Sequence, residues 1–180
     1  MNGQIIRPRV VEGTSVVMPA ERQLAVGHWL LTAAEDREKA LRQWDGQDVA
    51  LLACGGIFSA VRAPAALVWA AVGTEDLDDV DDRLRKWFDG GAVFMDLHGL
   101  HYYALVPGST ASRWRERDYP GVACLGRDHY LGVPAARSVE RRGRAYWCVP
   151  MDSPGDLCYV DEVTELLRTG QAARREGGTP

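Results

Sequence analysis

Lysine, long apolar runs and closely spaced cysteines are all scarce in this sequence. Two of the 21 basic residues are lysine and the others are arginine. No apolar run approaches the roughly 18 residues of a transmembrane helix. The cysteines form no C-x-x-C pair, which argues against a zinc ribbon and against a thioredoxin-type redox site. We therefore expect free thiols at Cys54, Cys124, Cys148 and Cys158.

The start of the chain and its charge bear on location and partners. The first nine residues lack the apolar stretch of a secretory signal peptide. Because the cytoplasm keeps thiols reduced, these features predict a cytoplasmic protein without a membrane partner. The net charge of -4 gives no whole-chain reason to expect a nucleic-acid partner. We predict a flexible N-terminal arm over residues 1–18, a single domain over 19–170 and a disordered tail over 171–180.

Local motifs of several enzyme classes are also missing. The sequence contains no Gly-x-Ser-x-Gly elbow, Walker loop, His-Glu-x-x-His pair or Rossmann glycine pattern. A Ser-His-Asp or Cys-His site assembled from distant parts of the chain remains open, because such sites are defined by geometry rather than by spacing.

The periodicity of apolar residues predicts helices in the first half of the chain and strands in the second. Residues 49–54 and 57–61 read as two adjacent strands joined by a tight glycine connection. Later, the pattern Tyr-x-x-Val-Pro occurs three times, starting at Tyr103, Tyr130 and Tyr146, and predicts three strands of one sheet. The expected fold class is α+β, a mostly antiparallel sheet with packed helices. The predicted helices cover residues 19–44, 64–72, 75–88 and 160–167, the last ended by Gly170.

The segment Phe94–His98 combines an acid and an imidazole within an apolar run. On a strand, Asp96 and His98 would project from the same face and could share a divalent metal ion. Alternatively, His98 and Gly99 lie in a turn that leads into a second strand from His101. The sequence leaves both interpretations open.

A second candidate is the stretch from Leu125 to Tyr130. A glycine followed by Arg127 and His129, just before a strand, could bind a phosphate group. The same residues are also typical of an ordinary polar turn.

Charge is unevenly distributed along the chain. Residues 113–144 contain eight arginines and four acidic residues, a balance of +4, with Trp114, Tyr119 and Tyr130 interleaved. Such a segment can bind nucleic acid through phosphate contacts and base stacking, although solvated arginine-rich loops have the same composition. The candidate nucleic-acid or phosphate-binding residues are Arg113, Arg115, Arg127, His129, Arg141, Arg142 and Arg144.

Four stretches resemble a known family. Residues 56–64, 102–110, 124–134 and 146–154 are similar to small actinobacterial proteins related to the bifunctional DNA primase/polymerase domain of the archaeo-eukaryotic primase class. The resemblance covers residues 20–170 and is carried mainly by packing residues and turns. It implies a primase/polymerase-like core within the α+β class.

The resemblance also implies where a catalytic site would lie. Active members of the class have an acidic pair on a strand, a histidine that holds the nucleotide phosphates, and a third acid. Asp96 matches the first acid, but His98 occupies the second position, and His129 would be the phosphate histidine. No third acid can be assigned, although Asp128 and Asp152 are present. The resemblance therefore implies a shared fold with a degenerate catalytic motif.

The preferred function is a non-catalytic accessory or regulatory module that binds nucleic acid, a nucleotide or a protein partner, with no cofactor. One alternative is a nucleotidyl transferase dependent on Mg²⁺ or Mn²⁺ that uses Asp96, His98 and His129. Another is a purely protein-interacting module that uses Trp114 and the apolar helix at 64–72. The sequence is also compatible with a homodimer but indicates no interface.

Overall fold

The fold is α+β, as the sequence predicts. A computed structural model describes residues 18–177, so the predicted arm lies outside the described residues except for Met18. This part of the chain forms five α-helices, seven strands and three short 3₁₀ turns. The helices are α1 (Pro19–Leu30), α2 (Arg37–Gln47), α3 (Ala65–Val72), α4 (Leu77–Trp87) and α5 (Val160–Gly177).

The strands form two antiparallel sheets. Five of them make a central sheet in the order β5-β2-β4-β3-β7, and β1 pairs with β6 in a separate two-stranded ribbon. The strands are β1 (Val49–Ala53), β2 (Phe58–Pro64), β3 (Ala92–Asp96), β4 (His101–Pro107), β5 (Ala123–Leu125), β6 (Tyr130–Pro134) and β7 (Ala145–Val149).

Short polar residues and glycine fix the ends of the helices. Asp36 caps α2 by accepting a hydrogen bond from the Lys39 amide at 2.9 Å. Asp76 caps α4 by accepting from two amides of its first turn, at 3.0 and 3.1 Å. Gly73 ends α3 with a φ of 76°, a left-handed conformation that glycine adopts without a Cβ penalty. Local sequence therefore determines these boundaries.

The central sheet is buried on both faces. Alternate strand residues such as Val61, Met95 and Tyr146 pack on one face against α3, α4 and α5. The intervening residues, such as Phe94 and Trp147, pack on the other face with α1, α2 and the ribbon. The molecule thus has two apolar cores separated by one sheet.

Two indoles fasten the ribbon to the rest of the protein. The Trp44 Nε1–H of α2 donates to the Val133 carbonyl at 3.0 Å, and the Trp147 Nε1–H of β7 donates to the Ala135 carbonyl at 3.1 Å. Both indoles are buried, so these bonds satisfy donors that would otherwise lack a partner. They hold β6 between α2 and the edge of the central sheet.

Two predictions about strand pairing are wrong. β1 and β2 are consecutive but belong to different sheets, because Gly55, with a φ of 84°, redirects the chain between layers. A Cβ at Gly55 would lie 2.4 Å from the Arg127 backbone nitrogen, so the turn also needs glycine for space. The segment from Tyr130 forms β6 of the ribbon rather than a third strand of the central sheet.

The predicted C-terminal tail is also wrong in part. Residues 171–177 continue α5 as helix, and residues 178–180 lie outside the described residues. Gly170 does not end the helix. A Cβ there would lie 2.3 Å from the Leu67 carbonyl oxygen of α3, so the glycine allows the two helices to cross closely.

None of the helices of residues 18–177 combines the length and the apolar character needed to cross a bilayer.

Candidate functional site

Asp96 stands at the end of β3 and shapes the turn that follows. Its Oδ1 accepts hydrogen bonds from the His98 and Gly99 amides, at 3.0 and 3.1 Å. His98 is exposed in this turn rather than on the strand. Of the two interpretations of this segment, the structure agrees with the turn. Asp96 and His98 therefore do not share a strand face.

His129 lies at the far end of the central sheet from Asp96. The strand register pairs Asp96 with His101, and His101 with Pro64 at the end of β2. β5 runs towards the beginning of β2, and His129 follows it there. Because β2 has seven residues, about 20 Å of strand separates its two ends. The structure does not bring Asp96 and His129 together.

Potential metal ligands are dispersed in the part of the chain that the structure describes. No three His, Cys, Asp or Glu side chains there are grouped in a way that could hold a metal ion. The metal assignment to Asp96 and His98 therefore gains no further ligand from the fold.

The loop from Gly126 to His129 is a tight turn. The His129 amide donates to the Gly126 carbonyl at 3.1 Å, and Asp128 has a φ of 68°. A Cβ at Gly126 would lie 2.3 Å from the Ala111 Cβ, which explains the glycine by packing. Arg127 and His129 are exposed, so their contact with a phosphate stays a prediction.

The arginine-rich segment divides into two groups. Arg141 pairs with Asp78 and lies 3.6 Å from Asp81, and Arg142 pairs with Glu140 at 2.9 Å. The other members of this first group are Arg117, which pairs with Asp118, Arg137, which pairs with Asp45 and Asp48, and Arg144, which pairs with Asp96. Much of the predicted positive face is thus neutralised by acids of the same protein.

The second group consists of Arg113, Arg115 and Arg127. All three are exposed, and none of them pairs with an acidic side chain of residues 18–177. These guanidinium groups are therefore the part of the predicted surface that retains its charge for a ligand.

A cleft opens between the central sheet and the ribbon at the Asp96 end. Its volume is about 330 Å³. We call it the sheet cleft. It is lined by Gln43 and Gln47 of α2, Val49 and Leu51 of β1, Phe94 and Asp96 of β3, Tyr103 of β4, Leu131 and Gly132 of β6, and Arg144 with Ala145.

Two arginines and one acid set the charge at the sheet cleft. Arg144 Nη2 lies 3.7 Å from Asp96 Oδ2. Arg62 pairs in register with Tyr103, so its side chain lies on the same sheet face beside the cleft. The Arg62 Nε–H is buried and has no hydrogen-bond partner. With two cations and one anion, this corner carries net positive charge.

The charges at the sheet cleft affect the pKa of Tyr103. Burial raises the pKa of the Tyr103 phenol above its usual value, and the Asp96 charge raises it further. The Arg62 and Arg144 charges act in the opposite direction. All three charged groups are thus close enough to influence one phenol oxygen.

Flat aromatic and amide groups complete the sheet cleft. The Phe94 and Tyr103 rings stack with their centroids 4.9 Å apart and an angle of 11° between their planes. Gln43 Oε1 accepts a hydrogen bond from the Leu51 amide at 3.1 Å, which positions the side-chain amide beside the cleft. The site therefore offers charge, hydrogen-bonding groups and apolar surface together.

A second cavity, of about 440 Å³, lies between the 107–119 segment and α5. We call it the loop cavity. The Trp114 and Tyr119 rings are stacked there with centroids 5.1 Å apart. Its lining residues are Pro107, Ser109, Thr110, Arg113, Trp114, Arg115, Asp118, Tyr119, Val160 and Thr164.

Arg62, Tyr103, Gln43 and Gln47 were not predicted as site residues. For Arg62 the sequence contains an indication, because it is the one charged residue of the strand 58–64. A charge in a strand buried on both sides requires a partner or a ligand. For Gln43 and Gln47 the sequence contains no such indication, since they reach the cleft only through the tertiary arrangement of α2.

The helix proposed as a protein-docking surface is mostly internal. In α3, Leu67, Val68 and Val72 are buried in the core with α4 and α5, and Ala66 is the one exposed residue of the helix. Its apolar residues are accounted for by packing.

Comparison with known proteins gave no match: no family model, no curated protein and no solved structure matches this chain.

Proposed function

We propose that the protein is a non-catalytic accessory or regulatory module that binds a nucleotide in the sheet cleft. A degenerate primase/polymerase-like core is part of this proposal. The observation that carries it is the buried, unpartnered Nε–H of Arg62 beside a cleft with net positive charge.

Phosphate is the ligand group that best fits this corner. Arginine presents several N–H donors in a planar fork that matches phosphate oxygens, and such charge-assisted bonds are stronger than neutral ones. Arg144 is already paired with Asp96, whereas Arg62 has no acidic partner within the described residues. An incoming phosphate would supply the acceptor that Arg62 lacks.

The rest of the sheet cleft suits a nucleobase. The stacked Phe94 and Tyr103 rings and the Leu51 side chain provide apolar surface. Gln43 and Gln47 have side-chain amides, which both donate and accept hydrogen bonds and so complement base edges. A molecule that combines a base with phosphate uses both kinds of surface.

Arg62→Gln tests this proposal. The substitution removes the positive charge and most donors, so we expect ATP binding, measured by isothermal titration calorimetry, to weaken at least about tenfold. Arg62→Lys retains the charge but not the fork and should bind with intermediate affinity. Arg42→Gln is the matched control, because Arg42 is an exposed arginine on α2 that pairs with Glu38.

Two results would contradict binding at this corner. The first is equal ATP affinity in the wild type and Arg62→Gln, with circular dichroism showing both folded. The second is that the wild type binds no nucleotide at low ionic strength.

A metal-dependent nucleotidyl transferase is the second candidate, since Asp96 lines the same cleft. In that case Mn²⁺ should tighten nucleotide binding, and Asp96→Asn should abolish this effect. Asparagine keeps an oxygen for the His98 and Gly99 amides, so the turn survives the change. Under the preferred proposal, Mn²⁺ has no specific effect on affinity.

We place this binding in the cytoplasm. Cys54, Cys148 and Cys158 are buried as free thiols, a state that a reducing compartment preserves.

A further inference from the structure

The loop cavity combines features that the sheet cleft does not explain. It lies between the 107–119 segment and the first turns of α5 and is larger than the sheet cleft. It is also lined by Arg113 and Arg115, two of the three arginines of the segment that pair with no acid among the described residues. A ligand for this cavity would therefore bind away from Arg62 and Asp96.

An aromatic stack forms one wall of the loop cavity. Tyr119 is buried, and Trp114 packs on it with an angle of 29° between the ring planes. The Trp114 Nε1–H is buried without an acceptor. A buried donor without a partner is unfavourable, and a bound acceptor would relieve it. Stacked aromatic rings of this kind are platforms for nucleic-acid bases.

Arg113 and Arg115 stand on either side of Trp114 in the sequence and both line the cavity. Neither pairs with an acid in the stretch from Met18 to Gly177. Asp118, the acid in the lining, lies 3.7 Å from the Arg117 guanidinium. The cavity therefore has two unpaired cations beside an aromatic surface, which is the chemistry of a phosphate next to a base.

We propose that the loop cavity is a second site, which takes one nucleotide unit: its base against Trp114 and its phosphate between Arg113 and Arg115. The unit comes either from a free nucleotide or from a single strand of nucleic acid. A base paired within a duplex cannot enter, because its faces are covered by its neighbours in the stack. This site goes beyond the proposed function and does not depend on it.

The test uses the full-length protein and a fluorescently labelled ten-residue oligothymidylate, with binding followed by fluorescence anisotropy. We expect Arg113→Gln/Arg115→Gln to weaken binding at least tenfold. The slope of log affinity against log salt should also fall by about 0.7, the contribution of the one phosphate contact on a single strand that the two arginines share. The matched control is Arg22→Gln/Arg42→Gln, which removes the same charge from two exposed arginines elsewhere.

Changes at Trp114 test the aromatic contact separately. Trp114→Phe keeps a ring but loses the N–H and should bind a few-fold more weakly, whereas Trp114→Leu should lose roughly tenfold or more. Should either tryptophan variant fail to fold by circular dichroism, the arginine pair still decides, because both side chains are exposed.

Competition with adenosine monophosphate identifies the source of the unit. If the mononucleotide displaces the labelled strand at a similar concentration, the natural ligand is a free nucleotide. If the strand stays bound, the natural ligand is a single-stranded nucleic acid. The proposal is overturned if a duplex of the same length binds equally well, if the arginine and tryptophan variants bind like the control, or if no strand binds at 50 mM salt. The two proposals are tested by separate measurements, ATP calorimetry of Arg62→Gln for the sheet cleft and strand anisotropy of Arg113→Gln/Arg115→Gln for the loop cavity, so the failure of one is distinguished from the failure of the other.

Discussion

Asp81 shows how a single side chain joins three parts of the fold. Among the residues that the structure describes, it is the one charged side chain that is buried, with 5% of its surface exposed. The Tyr146 hydroxyl of β7 donates to its Oδ1 at 2.9 Å, and Arg141 Nη1 lies 3.6 Å from its Oδ2. Asp81 thereby links α4 to β7 and to the loop that precedes β7.

Burial raises the pKa of Asp81 above its usual value of 3.8. The hydrogen bond from Tyr146 and the charge of Arg85 lower this pKa in part, while the charge of Asp82 raises it. The folded protein therefore holds the Asp81 proton at a pH where the unfolded chain has lost it. It follows that the contribution of Asp81 to stability falls as pH rises from 3.8 through the raised folded pKa.

Asp81→Asn should remove this dependence. Relative to wild type, we expect the variant to gain stability as the pH rises from 4 to 7, so the difference in the free energy of unfolding between variant and wild type should increase. Asparagine still accepts the Tyr146 hydrogen bond but has no charge to desolvate. Urea denaturation at several pH values measures the difference, and Asp79→Asn, an exposed neighbour on α4, is the control. A constant difference across this range would contradict the assignment.

At the scale of elements, the crossing of α3 and α5 depends on one missing methyl group. Glycine normally weakens a helix interior by about 1 kcal/mol relative to alanine. At Gly170 this cost is offset, because the absent Cβ lets α5 approach the Leu67 carbonyl of α3. Helix propensity and packing therefore oppose each other at this position, and packing decides.

Gly170→Ala should destabilise the protein by about 1–3 kcal/mol, because the new Cβ would force the two helices apart. Gly27→Ala is the matched control: Gly27 lies within α1, and a Cβ there would meet nothing within 4 Å. This second substitution should stabilise by up to about 1 kcal/mol. Thermal and urea denaturation of both variants would show shifts of opposite sign. Two shifts of the same sign would refute the packing explanation.

The same contrast explains which elements were predictable from sequence. The acidic caps at Asp36 and Asp76 and the glycine after α3 act within a few residues, so the sequence indicates those helices directly. Gly170 looks identical to a helix-ending glycine in sequence, since its reason lies in another helix. A local pattern cannot distinguish these two uses of glycine.

At the scale of the whole molecule, one sheet serves two cores. Leu84 of α4 is fully buried on one side of the central sheet, and Leu52 of β1 is fully buried on the other side. Because the strands of the sheet contribute side chains to both cores, loss of either core removes support from the other. We therefore expect the described part of the chain to unfold as one unit.

Leu84→Ala and Leu52→Ala test this expectation. Each should cost about 2–5 kcal/mol, as truncation of a buried leucine usually does. In both variants, tryptophan fluorescence and far-ultraviolet circular dichroism should follow the same single transition. Separate transitions in Leu52→Ala would mean that the ribbon side unfolds on its own, against the predicted single domain.

Long-range pairing is what the sequence could not indicate. The α+β class followed from element order, but the partner of β1 lies in β6, far along the chain. The sheet cleft depends on that pairing, because α2 and β1 supply one wall and Phe94 and Tyr103 the other. Asp96 could be selected from sequence as a polar residue in an apolar run, whereas its neighbours in space could not.

The ribbon has a consequence for how the protein is made. β1 leaves the ribosome early, yet its partner, residues 130–134, is translated only after four of the five central strands. Ala50 and Leu52, almost inaccessible in the finished protein, therefore lack this partner strand until residues 130–134 have been made. The order of translation thus makes β1, though early in the chain, one of the last strands to find its place.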